Sequence, residues 1–220
     1  MYSRKVKAVF GFMVFLMGVG YLVLILNSFP AFSNLIGGTG SSSSATQRLV
    51  DKAQKTIDKQ NCRAGMPAGP ARTKCKRALE DMGAGYQTLS QPSATATELP
   101  KDAERNLNKS VEAFKLLVAV DPKDKDSKQF LANAYSSIGK SAQAMPLYQE
   151  LSKQDPSNDL YLYAYARSAE QAGKKEEALK AYKQYVKLFP EETNTETAQE
   201  AIKNIENPQS AAGTAAALGG

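Results

Sequence analysis

The two cysteines are the residues best suited to chemistry in this sequence. Cys62 and Cys75 bracket the Pro- and Gly-rich segment RAGMPAGPARTK. In an oxidising compartment they would form a disulfide, and closing a loop of this size stabilises a fold by roughly 3 kcal/mol on the chain-entropy model. Two free thiols are the alternative. Redox catalysis is disfavoured because reactive cysteine pairs normally lie closer together in sequence.

Most other site chemistry is excluded because the chain contains no histidine. Without histidine there is no Ser–His–Asp or Cys–His nucleophile and no His-ligated zinc or haem. Two cysteines alone cannot complete a structural zinc site. The sequence also lacks a Gly-rich phosphate loop, a paired-carboxylate motif and a cluster of metal ligands. We therefore expect no catalytic residues, no metal and no cofactor; an enzyme would have to use Asp, Glu, Lys or Tyr.

The net charge of +6 does not indicate a nucleic-acid-binding protein. Three of the positive charges, Arg4, Lys5 and Lys7, lie at the N-terminus. The rest of the excess is interpreted as a small surplus scattered over solvated helix faces, unlike the clustered footprint of a nucleic-acid site. We expect no nucleic-acid partner.

An uncharged apolar run, AVFGFMVFLMGVGYLVLIL, occupies residues 8–26. As a helix it would reach about 28 Å, close to the hydrocarbon thickness of a bilayer, so it is predicted to be a transmembrane anchor. A cleaved signal peptide is the alternative. The three cations precede the run and the next one is Arg48, so the N-terminus is predicted to be cytoplasmic. The chain would then be a single-pass plasma (inner) membrane protein with an extracytoplasmic C-terminal domain.

The composition divides the chain into four segments. Residues 1–36 hold the cytoplasmic N-terminus and the anchor, and residues 37–44 form a Gly/Ser-rich linker. Residues 45–206 are predicted to form a helical domain, because Ala and Lys are abundant and periodic apolar residues recur. Residues 207–220 are predicted to be a disordered tail.

A repeat of 34 residues organises the helical domain. The stretch SSIGKSAQAMPLYQELSKQDP, residues 136–156, returns as EQAGKKEEALKAYKQYVKLFP, residues 170–190. The matching pairs are Gly139 and Gly173, Ala144 and Ala178, Tyr148 and Tyr182, and Pro156 and Pro190. Each copy is interpreted as two helices: glycine ends the first, alanine allows close approach of the second, and proline ends the pair.

Helix pairs with this period and these residues resemble the tetratricopeptide repeat. The resemblance implies an all-α fold, a short α-solenoid in which stacked helix pairs share one core. Together with the apolar run at residues 8–26, the whole chain would be a single transmembrane helix followed by this solenoid. Residues 125–156 and 159–190 are two clear copies, and a degenerate copy spans residues 76–122 with an insertion after the first helix. That insertion is either an additional recognition element or a surface loop that the fold tolerates without a functional role. Residues 195–206 would be a capping helix.

The resemblance also implies a partner-binding groove along the first helix of each pair. Its positions fall on Gln129, Asn133, Ser136, Leu160, Tyr163, Arg167 and Glu170, and, in the degenerate copy, on Arg77, Glu80, Ala84 and Gln87. In LYLYAYAR, residues 160–167, Tyr165 is predicted to be buried and Tyr163 to face the groove beside Arg167. Tyrosine and arginine one turn apart could grip a peptide by apolar contact and a charge-assisted bond. The alternative is that Tyr161 and Tyr163 only pack on neighbouring helices.

Two functions follow as hypotheses from this layout. One is a membrane-tethered interaction module that binds another envelope protein or peptide, as a scaffold, an assembly factor or a secretion-linked chaperone. The other is a permanent structural subunit of a larger membrane complex.

Overall fold

The computed structural model describes residues 42–91 and 100–207. Within these residues the chain forms eight α-helices and no strand, which confirms an all-α solenoid for this part of the chain. The helices are α1 Ser42–Gln60, α2 Pro70–Leu89, α3 Ala103–Val120, α4 Lys125–Ser137, α5 Ser141–Gln154, α6 Asp159–Gln171, α7 Lys175–Leu188 and α8 Thr195–Glu206.

Several predicted segments lie outside the described residues. These are the anchor at residues 8–26, the linker up to residue 41, residues 92–99 of the insertion, and the tail from residue 208. None of the helices in the described part of the chain combines the length and apolarity needed to cross a bilayer. The helix α1 begins at Ser42, inside the segment predicted as linker.

From α2 onward, each helix packs against the next one in sequence. The pairs α4–α5 and α6–α7 correspond to the two clear repeats. Tyr185, near the end of α7, donates a hydrogen bond to Asp159 at the start of α6, at 3.1 Å. This contact shows that the two helices of the pair run antiparallel. The last helix, α8, packs on α7 and buries Ala198 completely.

The glycine that ends the first helix of each clear repeat has the predicted left-handed conformation. Gly139 has φ +70° and Gly173 has φ +76°. In both turns the residue after glycine donates back to a helix carbonyl: Lys140 N–H to Tyr135 at 2.9 Å, and Lys174 N–H to Ala169 at 2.8 Å. These bonds satisfy carbonyls that would otherwise be left unpaired at the helix end.

Small side chains allow the helices of each pair to approach closely. Ala144 and Ala178 are fully buried at equivalent positions of α5 and α7. In α2 the small residue is Gly83, where a Cβ atom would lie 2.5 Å from the Phe114 ring. The equivalent of Ala144 in α3 is Ser110, whose buried Oγ has no hydrogen-bond partner among the described residues.

A disulfide joins Cys62, in the connection after α1, to Cys75 in α2, with a Cα–Cα distance of 5.6 Å. Cys75 is fully buried beside Ala53 and Ile57 of α1 in one apolar cluster. The bridge therefore ties the connection that follows α1 to the core of the α2–α3 pair. No cysteine is left free.

Candidate protein-binding groove

Two adjoining cavities open along α6. The larger, of about 570 Å³, lies among α6, α7 and α8 and is lined by Tyr163, Arg167, Glu170, Gln171, Tyr182, Thr197, Glu200, Ala201 and Asn204. The smaller, of about 300 Å³, lies among α4, α5 and α6 and is lined by Ser136, Ser137, Tyr148, Tyr163, Ala164, Arg167, Ser168 and Gln171. Tyr163, Arg167 and Gln171 line both cavities, so we call the two together the α6 groove.

Tyr163 packs against neighbouring helices and also lines the α6 groove. Its ring lies 6.1 Å from the Tyr182 ring and 5.4 Å from the Tyr185 ring, both on α7. The side chain is half-buried, and this burial is the main reason that the pKa of its hydroxyl is raised. Packing and groove lining are therefore compatible roles for this residue.

Arg167 is exposed and lies at the junction of the two cavities. Its guanidinium makes no hydrogen bond or ion pair with any residue in ranges 42–91 and 100–207. Burial raises the pKa of Tyr148 and of Tyr182, and the positive charge of Arg167 partly opposes that rise at both hydroxyls. A cation that lies among tyrosine side chains and makes no ion pair with a described residue is suited to bind a carboxylate.

Tyrosine hydroxyls hold two of the predicted groove residues in place. Tyr182 donates to Glu170 at 2.7 Å, and burial together with this bond raises the pKa of Tyr182. Tyr148, one repeat earlier, donates to Asn133 at 2.6 Å. Because one oxygen of Glu170 is engaged in this way, its carboxylate is fixed at the edge of the larger cavity.

The other predicted groove residues are dispersed. Ser136 lines the smaller cavity, while Asn133 does not line either one. Gln129 accepts a hydrogen bond from the buried Tyr161, at 2.9 Å. Leu160, in the first turn of α6, is 41% exposed and lies outside both cavities. Of the seven predicted positions, the α6 groove therefore gathers Ser136, Tyr163, Arg167 and Glu170.

The prediction that Tyr165 is buried is confirmed only in part, since the residue packs against two apolar clusters without being enclosed by them. Its ring is only half-buried, and its hydroxyl accepts a hydrogen bond from Gln149 at 3.0 Å and lies 3.4 Å from Glu177. Tyr161 takes the buried position instead, at 7% exposure. Leu162, Ala166 and Ala169 of α6 belong to one of the two clusters that Tyr165 contacts, and Tyr161 belongs to the other.

The groove positions predicted in the degenerate copy do not line the α6 groove. Arg77 lines a separate cavity with Lys52 and Lys74. Glu80 is half-buried, and burial raises the pKa of its carboxyl although the nearby Lys76 opposes the rise. Ala84 and Gln87 are half-buried in α2 and line none of these three cavities.

The contribution of α8 to the groove was missing from the sequence prediction. Thr197, Glu200 and Asn204 line the larger cavity, whereas the sequence assigns α8 only a capping role. These three residues follow i, i+3, i+7 spacing and form a polar face that flanks the apolar stripe, whose Ala201 also lines the cavity. That polar face was the signal available in the sequence. Among the described residues there is also no group of His, Cys, Asp and Glu that could hold a metal ion.

Comparison with known proteins supports the class of fold. Residues 131–193 match the family model of the tetratricopeptide repeat, and this segment contains both capped turns and the start of the connection to α8. No curated protein matches the sequence. This segment is accordingly similar to the tetratricopeptide repeat, a class of repeat that is typical of protein-interaction modules.

The solved structures that match this chain are remote in sequence. MamA AMB-1 is 16% identical, with 74% of this chain and 89% of that chain covered and a TM-score of 0.46. TTC0263, a thermophilic TPR protein in Thermus thermophilus, is 12% identical, with coverages of 72% and 74% and a TM-score of 0.48. MamA 41-end from Desulfovibrio magneticus RS-1 is 12% identical, with coverages of 79% and 98% and a TM-score of 0.44.

Proposed function

We propose that this protein is a membrane-tethered interaction module whose α6 groove binds a segment of another envelope protein. Residues 8–26 would anchor it in the plasma (inner) membrane with the N-terminus in the cytoplasm, and the helical domain would act on the extracytoplasmic side. It would serve as a scaffold, an assembly factor or a secretion-linked chaperone rather than as an enzyme.

The observation that supports this proposal best is the environment of Arg167. It is an exposed cation without a hydrogen-bonding or ion-pairing partner in the described residues, and it lies between two cavities that share the Tyr163 ring. A bound segment could place a carboxylate on Arg167 and an apolar side chain against Tyr163. Glu170 and Glu200, on the rim of the larger cavity, would disfavour a second acidic residue there.

A cross-linking experiment in intact membranes tests this assignment. A photo-reactive residue replaces Asn204, which is exposed and lines the larger cavity. The full chain should then capture a discrete partner, which mass spectrometry identifies. Arg167→Gln should reduce the yield by about tenfold or more, because a charge-assisted hydrogen bond is lost.

The matched control is Lys174→Gln, which removes an exposed cation that lines neither cavity. Equal yields for Arg167→Gln, Lys174→Gln and the unchanged chain would refute the groove assignment. Extraction of the chain from membranes by alkaline carbonate would refute the tether. Co-purification with a partner in a fixed ratio would favour the permanent structural subunit instead.

A further inference from the structure

A row of lysines runs along one face of α1. Lys52, Lys55 and Lys59 follow i, i+3, i+7 spacing, so they share a helix face, and all three are exposed. Lys74 and Arg77 of α2 are exposed as well. A cavity of about 170 Å³ is lined by Lys52 on one side and by Lys74 and Arg77 on the other. These five residues therefore form one surface, which we call the basic face.

The basic face is poorly neutralised. None of its five side chains makes a hydrogen bond or ion pair with a residue in the described ranges 42–91 and 100–207. Asp81 is the one anion among the described residues that line the cavity, and it is half-buried. Burial raises the pKa of its carboxyl, and the positive charges of Arg77 and Lys52 partly oppose that rise, so Asp81 offsets only part of the charge of the basic face. Elsewhere in the same helices cations are paired: Lys76 lies 3.4 Å from Asp121 and 3.0 Å from Asp124.

Outside the N-terminal Arg4, Lys5 and Lys7, the positive surplus of the chain comes from residues 42–91, which corrects the interpretation of a scattered surplus. Between residues 42 and 91, nine cations face only four anions. The cations are Arg48, Lys52, Lys55, Lys59, Arg63, Arg72, Lys74, Lys76 and Arg77, and the anions are Asp51, Asp58, Glu80 and Asp81. From residue 100 to residue 207, cations and anions are nearly equal in number.

We propose that the basic face docks on the phosphate groups of anionic phospholipids at the membrane surface. Each Lys or Arg near such a surface strengthens association by about fivefold, and flexible lysines follow lipid headgroups without a fixed geometry. Protein interfaces, in contrast, are depleted in Lys. The basic face also follows the predicted anchor closely in sequence, so this inference rests on the tether of the proposed function. Docking would orient the helical domain while leaving the α6 groove, on other helices, free for a partner.

Lysine footprinting of the full chain tests the docking. The chain is combined with vesicles of phosphatidylcholine alone or of phosphatidylcholine mixed with phosphatidylglycerol, and lysines are acetylated with a neutral reagent. In the anionic vesicles, acetylation of Lys52, Lys55, Lys59 and Lys74 should be slowed several-fold, and molar salt should remove the protection. Lys174, Lys175 and Lys180, at the start of α7 and in the turn before it, should react equally in both vesicles.

A charge variant and its matched control make the result specific. The triple variant Lys52→Gln, Lys74→Gln, Arg77→Gln should lose the protection of Lys55 and Lys59. The triple variant Lys174→Gln, Lys175→Gln, Lys180→Gln, which removes the same charge elsewhere, should retain it. The proposal would be overturned if the lysines of the basic face were protected equally by the two kinds of vesicle. It would also be overturned if the α7 lysines were protected by the anionic vesicles as strongly as those of the basic face. Protection by inorganic phosphate without lipid, or by an acidic protein only, would overturn it too.

The footprinting result for the basic face can be distinguished from the extraction result for the membrane anchor. If carbonate extracts the chain but the footprint appears on anionic vesicles, the anchor is wrong and the basic face stands. If the chain resists extraction and no footprint appears, the anchor stands and the docking is wrong.

Discussion

Phe114 in α3 occupies the position that Tyr148 holds in α5 and Tyr182 holds in α7, one and two repeat periods later. The two tyrosines extend their hydroxyls to the first helix of their pair, where they bind Asn133 and Glu170. Phe114 has no hydroxyl, and its ring stacks on Phe130 of the next pair at 5.5 Å. The α2–α3 pair therefore uses this position for packing alone, whereas the later pairs also use it to hold a polar residue of their first helix, which in the α6–α7 pair is Glu170 of the α6 groove.

Other equivalent positions differ in the same way. Gly83 in α2 corresponds to Ala132 and Ala166, and Ser110 in α3 corresponds to Ala144 and Ala178. The α2–α3 pair also has the disulfide, which the later pairs lack. We call α2–α3 the irregular pair and α4–α5 and α6–α7 the regular pairs. The comparison indicates that the irregular pair depends for its stability on Gly83, Phe114 and the disulfide, whereas the regular pairs depend on the residues that their two repeats share.

Removal of the disulfide should have the largest effect. The variant Cys62→Ala, Cys75→Ala should lower the free energy of unfolding by about 3 kcal/mol, because the unfolded chain regains the freedom of the closed loop. Repeat proteins are coupled mainly to their nearest neighbours, so hydrogen exchange should accelerate in α1 and α2 and change little in α7 and α8. The reduced wild-type chain is the control and should behave like the variant. If hydrogen exchange became faster by the same factor in all helices, the stability of the α2–α3 pair would not be separate from that of the later pairs.

Gly83→Ala should have the next largest effect. In an ordinary helix interior this change stabilises, but here the new Cβ would meet the Phe114 ring at 2.5 Å, so we expect a loss of about 1–3 kcal/mol in urea unfolding. Adding Phe114→Leu should recover part of the loss, because the smaller side chain gives room. If Gly83→Ala stabilises the chain, or if the second change gives no recovery, the close approach of α2 and α3 is not the reason for the glycine.

Ser110→Ala should act in the opposite direction. It removes a buried hydroxyl that has no partner in the described residues and restores the alanine of the regular pairs, so the free energy of unfolding should rise by about 1 kcal/mol. The reciprocal variant Ala144→Ser places a hydroxyl at the equivalent buried position of α5 and should destabilise by a similar amount. A loss of stability in Ser110→Ala would show that the hydroxyl is satisfied in solution.

The regular pairs could be predicted from the sequence because their determinants are local. Gly139 and Gly173 end helices through their own backbone conformation, and Ala144 and Ala178 mark close approach at a fixed phase. The groove was predicted less well because its walls come from several helices. The spacing of Thr197, Glu200 and Asn204 indicates a polar face on α8, but whether that face lines the groove depends on how the last helix lies on α7.

The smallest expected effect concerns acid stability and the cap of α4. Lys76 and Lys125 occupy equivalent positions and reach Asp121 and Asp155, each at 3.4 Å, but only Lys76 also reaches a helix-capping carboxylate, Asp124, at 3.0 Å. Partial burial opposes ionisation of Asp124, yet hydrogen bonds from Ser127 and Lys76 outweigh it and lower the pKa of its carboxyl. A lowered pKa means that the stabilisation is complete above the unfolded value of about 3.9 and is lost as the pH falls through the folded value.

Asp124→Asn tests that difference, since Asn158 already caps α6 at the equivalent position by accepting a hydrogen bond from Leu160 N–H at 3.2 Å. The variant should keep the cap and lose the acid-sensitive part of the stabilisation. Urea unfolding midpoints between neutral pH and about pH 2 should therefore fall less steeply below about pH 4 in the variant than in the unchanged chain. Parallel curves would show that the carboxylate of Asp124 adds nothing beyond what an amide cap supplies. The cap of α4, supplied by Asp124, and the cap of α6, supplied by Asn158, would then contribute equally to stability, although one is a carboxylate bound to Lys76 and the other is an amide.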